Sequence, residues 1–425
     1  MNDGERQTVD GRRGTEDGRR KSAERDLVVP RLPSSVHGQR IGIDGGTWGN
    51  ARGYGRFTRE LVRALACVDE RNAYCIFLDA QTLRNNVPSN LLIVPVATSQ
   101  SPSRAASADG YRSPRDMLAF SRAIARAPLD VIFFPSVYTF VPVLRRMSVV
   151  VGVHDVIAER FPQFVFQSAR AKLFWNIKTQ LAVRQATRVL TVSEHARQGV
   201  QEHFHLAPDK LRVTHEAAAA AFRPITDRHA IDAMLARVGL APDARYVIYF
   251  GGLTPHKNVQ MLVYVFADVI REPAFADVKL VLAGDFQRDV YLSAYSQLRA
   301  QVNVNCPMAV IFTGHVDDDE AALLLNGALV SVLPSLDEGF GLPGIEAAAC
   351  GTPLIATRHS AMPAVLGDAA LYIDPSGPTE LRTALVRVLE DEALRHTMGE
   401  RGLERVRQLT WESAARRVID VFEEL

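Results

Sequence analysis

Two glutamates eight positions apart, Glu338 and Glu346, bound the most informative stretch of the chain, PSLDEGFGLPGIE from Pro334. On one continuous helix, eight steps of about 100° would bring both carboxylates almost onto one face. Pro343 suits the opening of a helix, however, so Glu338 is expected just before that helix and Glu346 inside its first turn. The two can then serve different ends of one ligand, with the amides of Gly344 and Ile345 free at the helix start.

A second constellation is Gly251-Gly252-Leu253-Thr254-Pro255-His256-Lys257-Asn258. Asn258 is expected to cap a helix running through Ala267, and glycines, a lysine and a helix N-terminus each favour an anion such as a phosphate. A third is the glycine-rich run from Gly45 to Arg56, which includes Gly53 and Gly55 and can bring main-chain amides close to a ligand. It lacks the Gly-Lys-Ser/Thr ending of a P-loop. His154-Asp155 closes the strand pattern Val149–Val153, a position from which the imidazole can donate to a hydroxyl or polarise a reacting centre. The plain alternatives are a flexible turn, a solvated lysine and a satisfied structural histidine. His203 and His205, read as a surface turn, have no comparable context.

Two competing readings fare worse. Gly339-x-Gly341-x-x-Gly344 spells the dinucleotide fingerprint, but its first glycine follows the strand by several residues, Pro343 interrupts it, and the next strand ends in Thr357-Arg358 instead of an acidic ribose ligand. Asp317-Asp318-Asp319-Glu320 invites a metal ion, yet carboxylates at the start of a helix over Glu320–Gly327 complement its dipole without one. No metal is assigned.

These residues all follow short β-branched runs. Strands are expected at Arg40–Asp44, Tyr74–Leu78, Leu91–Val94, Val131–Phe134, Val149–Val153 and Arg188–Val192, with helices such as Arg56–Cys67 and Ala169–Ala186 between them. A second series runs Tyr246–Phe250, Val278–Leu282, Val310–Thr313, Val330–Leu333 and Leu354–Ala356. The alternation implies parallel sheets, which bind ligands beyond the carboxyl ends of their strands. The domains are expected at 39–215 and 244–405, with a linker at 216–243 and a last helix, 406–425, crossing back to the first domain.

Composition narrows the classes. The 425 residues, 47% hydrophobic and 23% charged, suit about two globular domains. Lys+Arg 49 against Asp+Glu 48 leaves a net charge of +1, which gives no field for a nucleic-acid partner. Four cysteines without CxxC or Cys/His spacing fit a reducing compartment. Residues 1–38 mix both charge signs with glycine, lack a signal-peptide core and read as a disordered tail. No apolar run reaches the ~18 residues of a spanning helix.

The stretch PSLDEGFGLPGIEAAACGTPLIAT resembles the retaining glycosyltransferases of family four, often called group 1, which carry Glu, seven residues, then Glu. The resemblance extends through IGIDGGTWGNARGYGRFTRELVRAL, HDVIAERFP, TVSEHARQGV, YFGGLTPHKN, the glycine of FTGHV and ALYIDPSGPTEL. It implies the GT-B fold, two Rossmann-like doubly wound parallel-sheet domains facing a central cleft. By the same resemblance Glu338 holds donor-sugar hydroxyls and Glu346 the ribose hydroxyls. Gly339, Phe340, Gly341 and Leu342 border the sugar and diphosphate, alongside Gly251 and Gly252. Lys257 meets the leaving diphosphate, His154 lies near the reacting sugar, His315 and Val316 flank the nucleobase, and Gly53, Gly55 and Arg56 border donor and acceptor.

The implied reaction is metal-independent hexosyl transfer with retention, through same-face attack on an oxocarbenium-like centre. The donor is a nucleotide-diphosphate sugar, GDP- or UDP-linked with mannose favoured, and there is no separate cofactor. The acceptor is a glycan or lipid-linked molecule in bacterial surface polysaccharide (lipopolysaccharide) synthesis, in the cytoplasm. Lys172, Phe174, Trp175 and Lys178 suit either peripheral membrane contact or packing within the first domain. Three departures from the family pattern are Gly252 where an arginine is common, with His256 or Arg56 as substitutes for its charge, His215-Glu216 for Asn-Gly, and Ala364 for Glu. A nucleotide-sugar 2-epimerase, which needs no acceptor, and a non-catalytic scaffold, which turns nothing over, are the rival readings.

Overall fold

The computed structural model describes residues 38–50, 53–79, 82, 87–99, 113–284 and 295–425. The tail expected at 1–38 lies outside them apart from Gly38, as do Ala51 and Arg52 of the first glycine loop.

The first unit runs β1 (Arg40–Asp44), α1 (Gly53–Val68), β2 (Ala73–Asp79), β3 (Leu92–Val96), α2 (Pro114–Arg126), β4 (Val131–Phe134) and β5 (Ser148–Gly152). Short helices α3 (Ile157–Arg160) and α4 (Pro162–Val165) lead to α5 (Ala169–Gln185), β6 (Arg188–Thr191), α6 (Glu194–Phe204) and β7 (Leu211–Val213). The second unit opens with α7 (Arg228–Arg237), β8 (Tyr246–Phe250), α8 (Val259–Val269), β9 (Lys279–Ala283), α9 (Tyr295–Asn305), β10 (Val310–Gly314) and α10 (Asp318–Gly327). It continues with β11 (Val330–Leu333), α11 (Leu342–Ala349), β12 (Leu354–Thr357), α12 (Met362–Leu366), β13 (Ala370–Ile373), α13 (Pro378–Glu390) and α14 (Glu392–Val406). The chain closes with α15 (Trp411–Glu423).

All strand pairs are parallel, in a seven-stranded sheet ordered β3-β2-β1-β4-β5-β6-β7 and a six-stranded sheet ordered β10-β9-β8-β11-β12-β13. Helices cover both faces, so central strands such as β4 (VIFF) are buried throughout and read as unbroken apolar runs. In each sheet the strand order reverses between the first and fourth strands, β1 and β4 or β8 and β11, and a ligand crevice is expected at such a reversal.

Several expectations shift. Helix α1 starts at Gly53, three residues before Arg56, which puts Gly53, Gly55 and Arg56 in its first turns. Edge strands β7 and β13 escaped the periodicity because they are short and half-exposed. His203 belongs to the last turn of α6, and His205 takes a left-handed conformation at its end. The segment at 216–243 carries α7, and its Phe222, Ile231, Met234 and Leu235 pack with Tyr246 and Ile248 in the second unit's core.

The last helix lies on the first unit. Trp411, Val418 and Phe422 of α15 share a core with Phe57, Leu61 and Leu65 of α1, and the Phe422 ring sits 5.7 Å from that of Phe133. A capping box between Thr410 and Ser413 starts it, and Glu424 beyond its end pairs with Arg188 and Arg212.

Candidate functional site

The loops after β8 and β11 meet because each is fastened to the other. Asn258 does not cap α8 as expected; it adopts φ 56°, and its Nδ2 donates to the carbonyls of Pro334 and Pro375 at 3.1 and 2.8 Å. The Leu336 amide donates to the His256 carbonyl at 2.8 Å. These bonds bring the Lys257 ammonium to 2.7 and 2.8 Å from the two carboxylate oxygens of Glu338. Ser335 Oγ donates to the same carboxylate at 2.6 Å, so the buried Glu338 has three polar contacts around it.

Past Glu338 the chain touches the first unit. A Cβ on Gly339 would lie 2.5 Å from the His154 carbonyl oxygen, and the Ser193 hydroxyl donates to the Gly339 carbonyl. Gly341 stands at φ 88°, where a Cβ would meet Met362 at 2.6 Å; Phe340 and Leu342 are buried. The amides of Gly344 and Ile345, expected free, both bond to the Gly341 carbonyl, at 2.9 and 3.2 Å. The proline does not expose them, because the preceding Leu342 already begins α11 and the turn closes on Gly341.

Glu346 is buried in α11 and pairs with Arg56 of α1, whose guanidinium also reaches Asp318 at the start of α10. Arg56 thus ties α10 and α11 of the second unit to the first. Asp317 and Glu320 form a capping box on α10, so two of the four acidic residues there are spent on the helix end. His315, just upstream, is exposed, whereas the Val316 side chain is buried in the second unit's core. Gly251 has φ 146°, and Gly252 offers its carbonyl to the Tyr249 hydroxyl. Gly53 approaches Leu342 across the cleft, and a Cβ on Gly55 would strike the Asn50 carbonyl at 1.9 Å.

His154 is held at both ring nitrogens. Its Nε2 faces the Pro135 carbonyl at 2.9 Å and must carry hydrogen there, while Nδ1 lies 3.5 Å from Glu216 Oε1. Rings of Phe57 and Tyr54 hold it at centroid distances of 4.4 and 5.2 Å. Nε2 is engaged by the Pro135 carbonyl, so a role toward a ligand falls to Nδ1 or the main chain. His256 cannot replace a missing cation either: burial and the Lys257 charge push it down to about 3, so it is neutral at pH 7.

Three neighbours escaped the sequence reading. Asp337 receives Arg160 of α3 and, at 2.7 Å, His195 of α6, so a carboxylate of the second unit is held by two cation-forming groups of the first. Burial pulls that carboxyl upward, but its bonds and charge contacts with His195 and Arg160 outweigh burial and keep it below the ordinary range. Asp155 accepts from the Tyr54 hydroxyl at 3.2 Å, and burial raises it. Arg160, His195 and Asp337 all lie in quoted motif segments, and adjacency to Glu338 was the signal for Asp337. Among the described residues no group of three His, Cys, Asp or Glu side chains is placed to hold a metal ion.

The arrangement pairs a cation with a carboxylate at the crevice of the second sheet, faces it with a histidine and glycine backbone, and sets a second buried carboxylate against an arginine. A family model described as glycosyltransferase family 4 matches residues 51–217, and one described as glycosyl transferases group 1 matches residues 231–405. The O-antigen chain mannosyltransferase B of Escherichia coli is 27% identical over 240 residues, which cover 56% of this chain and 61% of that protein. Among solved structures, sucrose-phosphate synthase from Thermosynechococcus elongatus superposes with a TM-score of 0.71 at 21% identity, covering 91% of this chain and 98% of that one. Anabaena HepE in complex with UDP-glucose gives 0.70 at 15% identity, covering 91% and 100%.

Proposed function

This chain belongs to the group 1 glycosyltransferases and has the GT-B fold, and on that premise we propose that it moves a hexosyl group, with retention, from a nucleotide-diphosphate sugar to a glycan or lipid-linked acceptor in surface polysaccharide synthesis. Mannose and a GDP or UDP donor are part of this reading, as are a cytoplasmic site of action and independence from metal. The matched relatives named above include a mannosyltransferase, of which this chain spans 61%. All four cysteines are free thiols, in keeping with a reducing compartment.

The observation that carries the reading is the Lys257–Glu338 pair, at 2.7 and 2.8 Å, beyond the β8 and β11 ends. A donor replaces each partner of this pair with one of its own groups. Its phosphates take the ammonium and its sugar hydroxyls take the carboxylate, so neither the half-buried ammonium nor the buried carboxylate is left uncompensated. As the glycosidic bond breaks, negative charge grows on the leaving diphosphate, and a preorganised cation there lowers the barrier. Arg56 supplies a second cation in place of the arginine that Gly252 lacks, leaving Glu346 to the ribose hydroxyls. Glu338, held by Lys257 and Ser335, orients the sugar and does not attack it. A donor phosphate oxygen then takes the acceptor proton, with His154 beside the reacting centre.

Lys257→Ala is expected to slow transfer by ~10²–10³-fold, and Glu338→Gln to impair it as well. Transfer in excess chelator should be unchanged. Thermal shifts with UDP, GDP, ADP and their sugars select the donor, since ligand at ~100 times its dissociation constant adds ~2.7 kcal/mol to stability. Normal rates in both folded variants would overturn the assignment, and conversion of donor alone to its epimer would favour the epimerase.

A further inference from the structure

His154 stands between two acceptors, with Nε2 2.9 Å from the Pro135 carbonyl oxygen and Nδ1 3.5 Å from Glu216 Oε1. The first contact is built into the backbone. A Cβ on Gly152 would meet the Pro135 carbonyl oxygen at 2.2 Å, so only glycine there lets that carbonyl reach the ring. A carbonyl offers lone pairs alone, and Nε2 therefore carries a hydrogen. In a neutral ring Nδ1 would then be a bare lone pair set against a carboxylate, which repels it. Both side chains are buried, at 6 and 7% exposure, so solvent does little to screen that repulsion. The contact is favourable only with a hydrogen between the two. A free imidazole binds a proton about a hundredfold more tightly than a free glutamate carboxylate, which puts that hydrogen on Nδ1. Imidazolium and carboxylate together are then neutral, as a buried pair must be.

Glu216 is held where the chain crosses between the units. Its neighbour His215 sets Nε2 2.8 Å from Ser413 Oγ and 3.1 Å from the Thr410 carbonyl at the start of α15, and Thr214 Oγ1 donates to the Ala414 carbonyl at 3.3 Å. Burial, with the Arg417 charge, pushes His215 down to about 4, so it brings Glu216 no charge of its own. Tyr54 of α1 flanks the His154 ring, and Asp155, next in the chain, is raised by burial while the His154 charge pulls it back. We propose that Glu216 is a positioning residue for transfer, keeping a hydrogen on His154 Nδ1 so that the ring nitrogen Pro135 leaves over acts as a donor toward the sugar. The inference rests on the transfer reading, in which His154 stands beside the reacting centre. A sugar hydroxyl shares the Nδ1 hydrogen, and Glu216 remains as its counter-charge. Without the carboxylate the ring falls to its Nε2–H form, and Nδ1 turns from donor to acceptor.

Two readouts test this on the full chain. In protein carrying nitrogen-labelled histidine, with His154 assigned against a His154→Asn variant, magnetic resonance should show a bonded hydrogen on both ring nitrogens of the wild type. Glu216→Gln should retain it on Nε2 alone. That variant keeps the size of the side chain and a polar contact, so its melting temperature, nucleotide thermal shift and donor KM should match the wild type. Its kcat should fall about 10²-fold, the usual loss for one transition-state donor. A wild-type Nδ1 without hydrogen, or an unchanged kcat in Glu216→Gln, overturns the proposal. So does a raised donor KM with kcat unaltered, because the carboxylate would then only brace the crossing between the units. Full activity in Glu216→Gln beside its loss in Lys257→Ala would sink this inference and leave the assigned reaction standing. A wild type that transfers nothing would sink the reaction, while the nitrogen readout still decides where the hydrogen sits.

Discussion

At the residue scale, the site is built of pairs: Lys257 closes on Glu338 and Arg56 on Glu346, each partner brought in by a separate element. Residue type and position after a strand point to Glu338, Lys257 and Glu346, and not to which partner each one meets. His154 shows the limit: sequence placed it at a strand end, while the Pro135 carbonyl that occupies its Nε2 comes from the neighbouring strand's loop. Glu159 was invisible for the same reason. Burial, with a smaller push from Asp155, raises its carboxyl from 4.5 to about 7, against the Trp175 hydrogen bond and the Lys178 charge. A native pKa above the unfolded one means the folded chain holds the extra proton. The contribution to stability is complete below about 4.5 and is lost as pH rises through about 7. Glu159→Gln keeps an acceptor for Trp175 and should flatten the stability curve across that window in urea unfolding at a series of pH values. An unchanged curve would mean that another group carries the titration.

At the element scale, burial on both faces made most strands legible, because a central parallel strand has no solvent side to interrupt its apolar run. β1, β4, β8 and β11 fall at their expected bounds. Helix starts were harder. Asn258 looked like a cap and instead takes a left-handed turn that links two loops, a role decided by the Pro334 and Pro375 carbonyls far along the chain. The last helix tests how much one element contributes. Phe422 is fully buried against Phe133 and Tyr74, and Phe422→Ala should cost about 3–5 kcal/mol of unfolding free energy. Destabilisation below 1 kcal/mol (about the scale of an exposed site) would show that α15 only rests on the first unit.

At the scale of the whole molecule, the two units touch through polar contacts as well as through a shared apolar cluster. Asp337, gripped by Arg160 and His195, fastens the Glu338 loop to the first unit. Because the native carboxyl is held below its ordinary value, the clasp's contribution is complete above that ordinary value and is lost only as pH falls through the lower native one. Asp337→Ala should give a larger maximum dimension in small-angle scattering of the unliganded protein and a raised KM for donor, with the folded fraction unchanged by circular dichroism. Identical scattering would show that apolar contact alone keeps the units closed.

The return of α15 to the first unit also governs how such proteins can be recombined. A chimera that borrows a foreign second unit through a single crossover near residue 215 would seat an unrelated final helix on Phe57, Leu61 and Leu65. Two junctions, the second near Thr410, where the helix's own cap begins, would let the native segment travel with the sheet it was shaped to cover.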